Sequence, residues 1–450
     1  MKPRALTIAA CLLALLSTVG AALPYPILPP LFAGSALNDF NHFLGLPPKL
    51  LFGIAVTINP IGLLIGSAVL GPLADRYGHR PVLLATAFGG AAGHALSAVG
   101  LALQSYPLFL AARLFTGLME GNGSVARALL ADQLAGDERF RAMSLLNGAF
   151  FLGWLAGPLL GGATVHWGVT TPFWIAVAAL AFTAILVARA LPRTPPATAA
   201  ARREAAPSWW QVARRQHALN LLRHADLRTL FLVELAYASG VTAFYEFYPL
   251  WLVEVAHFDA RGIALTTAAM CALMTGCSVL AGRFAGGDPL RRACWSALGV
   301  AACVLGVALG GPVTGLLAII LYGLPNAVWS AVIPSWSAER FGRAHGQGAV
   351  MGLISTTFCL ASILTAAAGS LLTLIDTRLI LALGATLTAG AAVHLRAWRR
   401  SEIMTSSASP APADPSGPAD RRDAAAVPRS PAGEPAPETP STHPAPASRP

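Results

Sequence analysis

Arg113, Glu120 and Arg127 recur at seven-residue intervals inside one long apolar run. Seven residues advance an α-helix by about 700°, almost two full turns, so one helix would carry all three on a single face, with Gly117 and Ser124 between them. A charge far from water costs about a few kcal/mol unless it is paired or wet. Such a face must line a cavity or meet partners. The chemistry it offers is reversible: a carboxylate that takes up a proton or a cationic group, held beside guanidinium groups. Glu120 is the candidate proton-binding residue and Arg113 its partner in coupling, while Arg127 is a candidate for the cavity wall. Static pairing among the three charges is the alternative. A second set follows at Glu234, Tyr237, Tyr245, Glu246 and Tyr248. Glu234 and Tyr245, eleven residues apart, share a helix face, and Glu246 points elsewhere. Either glutamate can serve as a second proton or substrate site, and the tyrosines suit interface anchoring equally well. Asn326 and Trp329, with Ser330 and Trp336, can line a cavity or pack.

Covalent catalysis has no comparable support. No Gly-x-x-x-x-Gly-Lys-[Ser/Thr] run occurs, Lys2 and Lys49 are the only lysines, and the histidines show no zinc-like spacing. The expectation is a protein that is not an enzyme and carries no cofactor and no metal. The cysteines Cys11, Cys271, Cys277, Cys294, Cys303 and Cys359 all lie in or beside apolar runs, as buried small residues do, and imply no disulfide framework.

The elements that must position these groups are long and greasy. The 450 residues are 55% hydrophobic and 12% charged, with a mean hydropathy of +0.59. Apolar runs of about 18 residues or more recur from end to end, each long enough to cross a bilayer core. They are nearly continuous rather than alternating, which points to helices and not a β-barrel. The net charge of +10 does not indicate nucleic acid, because the arginines sit between spans, where they set topology.

Twelve spans are predicted, the first from Ala5 through a proline-broken end near Pro30. This start mimics a signal peptide, but its apolar run is too long. After a loop at 33–50, spans are expected at about 51–70, 82–103, 106–130, 143–166 and 172–191. Residues 192–226 gather arginines among Trp209, Trp210, Val212, Leu219 and Leu222, and read as a linker with an amphipathic surface helix. Six further spans are expected at about 228–252, 262–284, 292–310, 313–335, 346–374 and 377–397, then a disordered Pro-, Ala- and Ser-rich tail at 401–450. The predicted organisation is a six-helix bundle over 1–191, the linker, a second bundle over 227–400 and the tail. Arginine is concentrated in alternate loops, while the opposite ones hold Lys49, Arg261 and Arg378. This predicts both termini in the cytoplasm.

Three motifs carry a resemblance. Gly71-Pro-Leu-Ala-Asp-Arg-Tyr-Gly-His-Arg-Pro81, read as a polar turn between spans, resembles the Gly-x-Leu-x-Asp-Arg-x-Gly-x-Arg motif of the major facilitator superfamily. A weaker copy, Gly282-Arg-Phe-Ala…Arg291, stands at the equivalent loop of the second half, with Gly286 in place of Asp75. Gly153, Gly157, Pro158, Gly161 and Gly162 resemble the exporter motif Gly-x-x-x-Gly-Pro-x-x-Gly-Gly, whose small residues let helices approach closely. Arg113 followed by Gly117 and Gly121 resembles the fourth-span Arg-x-x-x-Gly motif. The stretch from Ala131 to Phe140 looks especially like the tetracycline-efflux branch of drug:proton antiporters. The chain departs from that branch in its first span, which has no acidic residue.

The resemblance implies an all-α integral membrane fold of twelve helices in two pseudo-symmetric six-helix bundles. It implies that Gly71 and Gly78 shape the turn, that Asp75 faces the start of the eleventh span near Gly346, and that Arg76, Arg80 and Asp132 complete a cytoplasmic gate. It further implies export of small amphipathic organic compounds by proton antiport from a bacterial inner membrane. The partners would be the bilayer, the substrate and protons, with no nucleic acid and a monomeric state. A narrow-substrate metabolite or sugar transporter, or a non-transporting sensor, is the alternative.

Overall fold

The computed structural model describes residues 3–34, 36–134, 136–191, 218–281, 288–345 and 347–408. Contacts group Met1–Glu402 into one unit; of the other, Ile403–Pro450, the described part ends at 408. The first half holds α1 (Pro3–Ala22), α2 (Pro48–Tyr77), α3 (His79–Ala102), α4 (Tyr106–Glu120), α5 (Gly123–Gln133), α6 (Gly136–Thr164) and α7 (Thr171–Ala190). The second holds α8 (Ala225–Ala256), α9 (Ala260–Ala281), α10 (Pro289–Leu309), α11 (Pro312–His345), α12 (Gln347–Leu372) and α13 (Thr377–Ala408). Among the described residues, eleven helices are long and apolar enough to cross a membrane. The remaining crossing is shared by α4 and α5. The protein is an all-α, multi-pass membrane protein of twelve crossings in two six-helix bundles.

Local chemistry sets several helix starts. Prolines occupy the first turns of α2, α4, α7 and α10, where a missing N–H costs nothing. Asp288 caps α10 by accepting hydrogen bonds from the amides of Leu290 (2.9 Å) and Arg291 (3.3 Å).

Three sequence expectations are corrected. The stretch at 71–81 is not a loop: α2 continues to Tyr77, and Gly78, at φ 94°, ψ 154°, makes the turn before α3 begins at His79. Gly71 lies inside α2 with open space where a Cβ would be. Thirty residues rise about 45 Å at 1.5 Å each, so α2 outlasts an apolar core of about 30 Å, and the change in polarity marks the membrane boundary, not the helix end. The fourth crossing is not continuous: Gly121 and Asn122 interrupt it, where Gly121 abuts the Gly66 backbone and Asn122 donates to Ser17 Oγ at 3.0 Å. Residues 401–408, assigned to the tail, are the last turns of α13. In the linker, 218–223 form a 3-10 turn and α8 starts at Ala225; Trp209, Trp210 and Val212 lie outside the described residues, as does 409–450. All six cysteines are free.

Within the first bundle α1 packs on α6 and α7, α2 on α4, and α3 on α4 and α7. In the second, α11 packs on α9 and α10, and α8 on α12. The bundles meet through α2 with α12 and α6 with α9, that is, second span with eleventh and fifth with eighth. Exchanging the two halves maps one pairing onto the other, as pseudo-symmetry requires.

The core is asymmetric along the membrane normal. One buried cluster joins Leu23, Phe32, Phe40, Phe52 and Phe109 of the first half to Phe244, Phe247 and Trp251 of the second. A separate one, Leu6, Leu13, Leu70, Leu83, Leu130 and Leu146 among its members, belongs to the first half and its Gly78 end. The named contacts across the bundles lie at the opposite, Lys49 end. Lys49 Nζ is 2.7 Å from Glu254 Oε1, and the Phe52 and Phe247 rings meet edge-on at 6.0 Å. A Cβ on Gly53 would stand 2.7 Å from Ser370 Cα.

Candidate functional site

Two helices press backbone to backbone where the first-half site is built. A Cβ at Gly62 would lie 2.3 Å from the Leu114 carbonyl oxygen, and one at Gly117 would lie 2.3 Å from that of Asn59. Only glycines permit this approach of α2 to α4. It brings Asn59, which precedes Pro60 inside α2, against the charged face of α4. Asn59 Nδ2 donates to Glu120 Oε2 at 3.1 Å and reaches the Arg113 carbonyl oxygen at 3.4 Å.

Arg113 is buried, at 4% exposure, and its Nε and Nη1 have no hydrogen-bond partner. Glu120 Oε1 has none either. Arg113 and Glu120 interact electrostatically. Arg127 does not join them: beyond the break it is exposed, with its guanidinium 5.0 Å over the Phe150 ring. A continuous helix would have kept all three together; the Gly121–Asn122 interruption separates the third.

Two neighbours of this pair were not singled out in the sequence. His94 of α3 is fully buried, neither ring nitrogen is hydrogen-bonded, and it interacts with Arg113. Tyr25 sits in the turn after α1, edge-on to Trp154 at 5.6 Å, within electrostatic range of Arg113, Glu120, Glu246 and Tyr248 together. A polar residue inside an apolar span is itself a signal, and it would have flagged both Asn59 and His94.

The second half contributes from α8. Glu246, at 3% exposure, accepts a 2.5 Å hydrogen bond from Ser362 of α12 on Oε1, and its Oε2 is unpartnered. Tyr248 pairs with Thr267 of α9 at 2.5 Å. Glu234 is directed instead at α11, beside Trp329. Tyr237 stacks on Trp329 with centroids 3.7 Å apart and planes at 8°. Its hydroxyl donates to Asn326 Oδ1 at 3.0 Å, and Asn326 Nδ2 donates to Tyr245 at 3.4 Å. The structure therefore gathers Tyr237, Tyr245, Asn326 and Trp329 into one network, with Glu234 beside it, and sets Glu246 apart on Ser362 of α12. Trp336 lies elsewhere, edge-on to Trp398 at 5.3 Å, and Ser330 is exposed.

The glycine motif on α6 divides its faces. Cβ atoms at Gly153, Gly157 and Gly161 would meet the carbonyl oxygens of Leu15, Val19 and Leu23 at 2.9, 2.8 and 2.5 Å, so these three pack on α1 and its end. Gly162 faces the other bundle, where its Cβ would lie 2.8 Å from the Ala260 oxygen. Pro158 is inside α6.

At the Gly78 end, Arg80 Nη2 donates to the Ala188 oxygen at 2.9 Å, tying α3 to the last turn of α7. Arg76 lies 5.7 Å from the centroid of the Tyr77 ring, and His79 Nε2 is 3.7 Å from Asp132 Oδ2. The Asp75 side chain and Gly346, expected to face one another, lie outside the described residues. Among the described residues no cluster of side chains could hold a metal ion.

The arrangement suits reversible binding of protons and charged groups at the junction of two bundles. The sequence matches the Major Facilitator Superfamily over residues 10–366. The class C tetracycline resistance protein of Escherichia coli is 32% identical over 158 residues, 35% of this chain and 37% of that protein. The class B protein of the same organism is 31% identical over 169 residues, 37% and 39% of the two chains. The matched segments thus span under half the length of these relatives. The crystal structure of the human organic anion transporter MFSD10 (TETRAN) superposes with a TM-score of 0.63 at 20% identity, covering 88% of this chain and 100% of that one. A D-xylose-proton symporter superposes at 0.67 and 17% identity, covering 87% and 96%. At such identities the likeness is one of fold. The chain belongs to the major facilitator superfamily and is a membrane transporter, not an enzyme.

Proposed function

We propose that the protein exports small amphipathic organic compounds in exchange for protons, by alternating access between its two bundles. The observation that carries this reading is Glu120: a carboxylate inside a membrane crossing, oriented by Asn59, beside Arg113, with one oxygen unpartnered. A carboxylate so placed can hold a proton or release it to admit a charged substrate. Similarity to tetracycline resistance proteins supports an organic, drug-like cargo, and the close α1–α6 packing through Gly153, Gly157 and Gly161 supports the exporter assignment.

The loop arginines favour both termini in the cytoplasm, and the similarity to tetracycline resistance proteins of Escherichia coli supports a bacterial inner membrane. The Lys49 end then faces outward, and bundles joined there correspond to an inward-facing state. In this reading the linker over 192–226 and the residues after α13 lie on the cytoplasmic side, and the protein acts as a monomer.

The test is proton-coupled transport in energised everted vesicles, challenged with a panel of hydrophobic compounds and compared with Glu120→Gln. A compound that dissipates the pH gradient through the wild type alone supports antiport coupled at Glu120. Dissipation through both moves coupling to Glu234 or Glu246. If no compound acts on either, broad drug export fails, and a narrow metabolite transporter or a ligand sensor takes its place.

A further inference from the structure

Between Lys49 and Asp75, α2 carries no ionisable residue, and what it offers Glu120 is the amide of Asn59. Both the backbone and the side chain of Asn59 are held by α4. A Cβ on Gly117 would stand 2.3 Å from the Asn59 carbonyl oxygen, and Asn59 Nδ2 reaches the Arg113 carbonyl oxygen at 3.4 Å. That carbonyl can only accept, so the amide must turn its nitrogen, and not its oxygen, to this side. The same nitrogen donates to Glu120 Oε2 at 3.1 Å. Asn59 is thus fixed as a donor toward the carboxyl by a backbone group that does not titrate.

A donor so fixed does not treat the two forms of Glu120 alike. The carboxylate accepts the bond with its charge behind it, whereas the acid offers only a neutral oxygen, and a charge-assisted hydrogen bond is roughly twice as strong as a neutral one. The two oxygens also differ: Oε2 is engaged by Asn59, and Oε1 has no partner. The other groups that act on this carboxyl are Arg113 on its own helix and Tyr25 in the turn after α1. From α3, His94 acts on Arg113. Arg127 is turned away, over Phe150.

We propose that Asn59 is a positioning residue: it holds Glu120 Oε2, leaves Oε1 to take the proton, and so sets the pH at which the site loads and unloads. This deepens the exporter reading and rests on it for the use made of that proton. Without the Asn59 amide, Glu120 still binds a proton but loses a bond that favours letting it go. The acid form then persists to higher pH, and release needs more alkaline surroundings. A merely structural role for Asn59 would lower stability and leave that pH in place.

Infrared titration of the full chain in nanodiscs, without a pH gradient, separates this proposal from the transport reading. The carbonyl stretch of a protonated carboxyl, assigned to Glu120 by its absence from Glu120→Gln, follows the proton at equilibrium and needs no substrate. Asn59→Leu should move the half-titration upward by about one pH unit or more, a gain in proton affinity of about tenfold. Asn59→Ser, whose hydroxyl can donate or accept, should move it the same way and by less. This smaller, polar variant carries the test if leucine prevents folding. A half-titration that stays in place or moves downward in a folded variant would overturn the proposal; with Glu120 still titrating, the exporter reading is spared. An upward shift in a protein whose Glu120→Gln form still exchanges protons would sustain the role of Asn59 and remove Glu120 from coupling. A Glu120 band missing at every pH from about 4 to 10 would sink both.

Discussion

Lys49 opens α2, Glu254 stands near the end of α8, and their 2.7 Å ion pair is a charged link across the two bundles. Beneath it the Phe52 and Phe247 rings are in contact. Both charged side chains are partly exposed, so the pair contributes about 0.2–1 kcal/mol, a factor of up to about five in a two-state equilibrium. Glu254→Gln should therefore shift the population modestly toward the state open at this end, and the reversed pair Lys49→Glu with Glu254→Lys should restore it. Spin labels at exposed Leu44 and His257, in a background lacking the six native cysteines, would read the distance distribution. Unchanged distributions in Glu254→Gln would show that the aromatic contacts alone hold this end together.

Asp288 predicts an acid-dependent weakness at the other end of the bundle. Partial burial pushes its carboxyl upward, but hydrogen bonds from Arg399 and from the Arg291 and Leu290 amides, with the Arg399 charge, outweigh that and hold it below its ordinary value. The folded protein thus favours the ionised form more than the unfolded chain does. The resulting stability is complete above the unfolded value of about 3.9 and is lost as pH falls through the folded value. Asp288→Asn should melt below the wild type at pH 7, and the gap should close as the pH drops under about 4. A gap that persists in acid would mean that shape, not charge, sustains the contact with Arg399.

The glycines on α6 make a prediction that separates packing from coupling. Gly157→Ala would bring a methyl to 2.8 Å from the Val19 oxygen and 2.7 Å from Ala22 Cβ, forcing α1 and α6 apart. Overpacking of this kind costs about 1–3 kcal/mol. Gly148→Ala, on the same helix with open space around it, should leave stability unchanged. Thermal unfolding in detergent ranks the two, and equal melting temperatures would refute the close-approach argument.

Much of the fold was legible because the bilayer simplifies the code. Apolar length marks each crossing, and the glycine spacing of α6 marks its partner surface. The misreadings share a cause: helices obey hydrogen bonding, whereas hydropathy reports only where lipid ends. That is why α2 runs on past Gly71, and why a two-residue break at Gly121–Asn122 went unseen inside one apolar run. Seven-residue spacing joined Arg113 to Glu120 but also enrolled Arg127, which the break turns away. Tyr25 and Glu246 belong to different bundles, and no periodicity along the chain relates them. Asn59 and His94 were visible as polar residues in apolar spans, but their partners come from other helices.

Asn326 ties the second-half network together, and it should behave as a unit with the tyrosines. Its side chain accepts from Tyr237, donates to Tyr245 and lies 3.5 Å from Met274 Sδ. Asn326→Leu keeps the branched outline but takes a hydrogen-bond partner from each of two tyrosine hydroxyls, of which Tyr245 retains Met274 Sδ, and a stranded buried group costs about 1–3 kcal/mol. If the hydroxyls are the reason, the same substitution in a Tyr237→Phe, Tyr245→Phe background should cost far less. The measurement is a double-mutant cycle on thermal stability, with a coupling of about 0.5–3 kcal/mol expected for residues in one network. Additive effects would mean that the Tyr237–Trp329 stack orders this region and that Asn326 only fills space. Coupled effects would mean that Asn326 acts through the hydroxyls of Tyr237 and Tyr245 and holds α8 to α11.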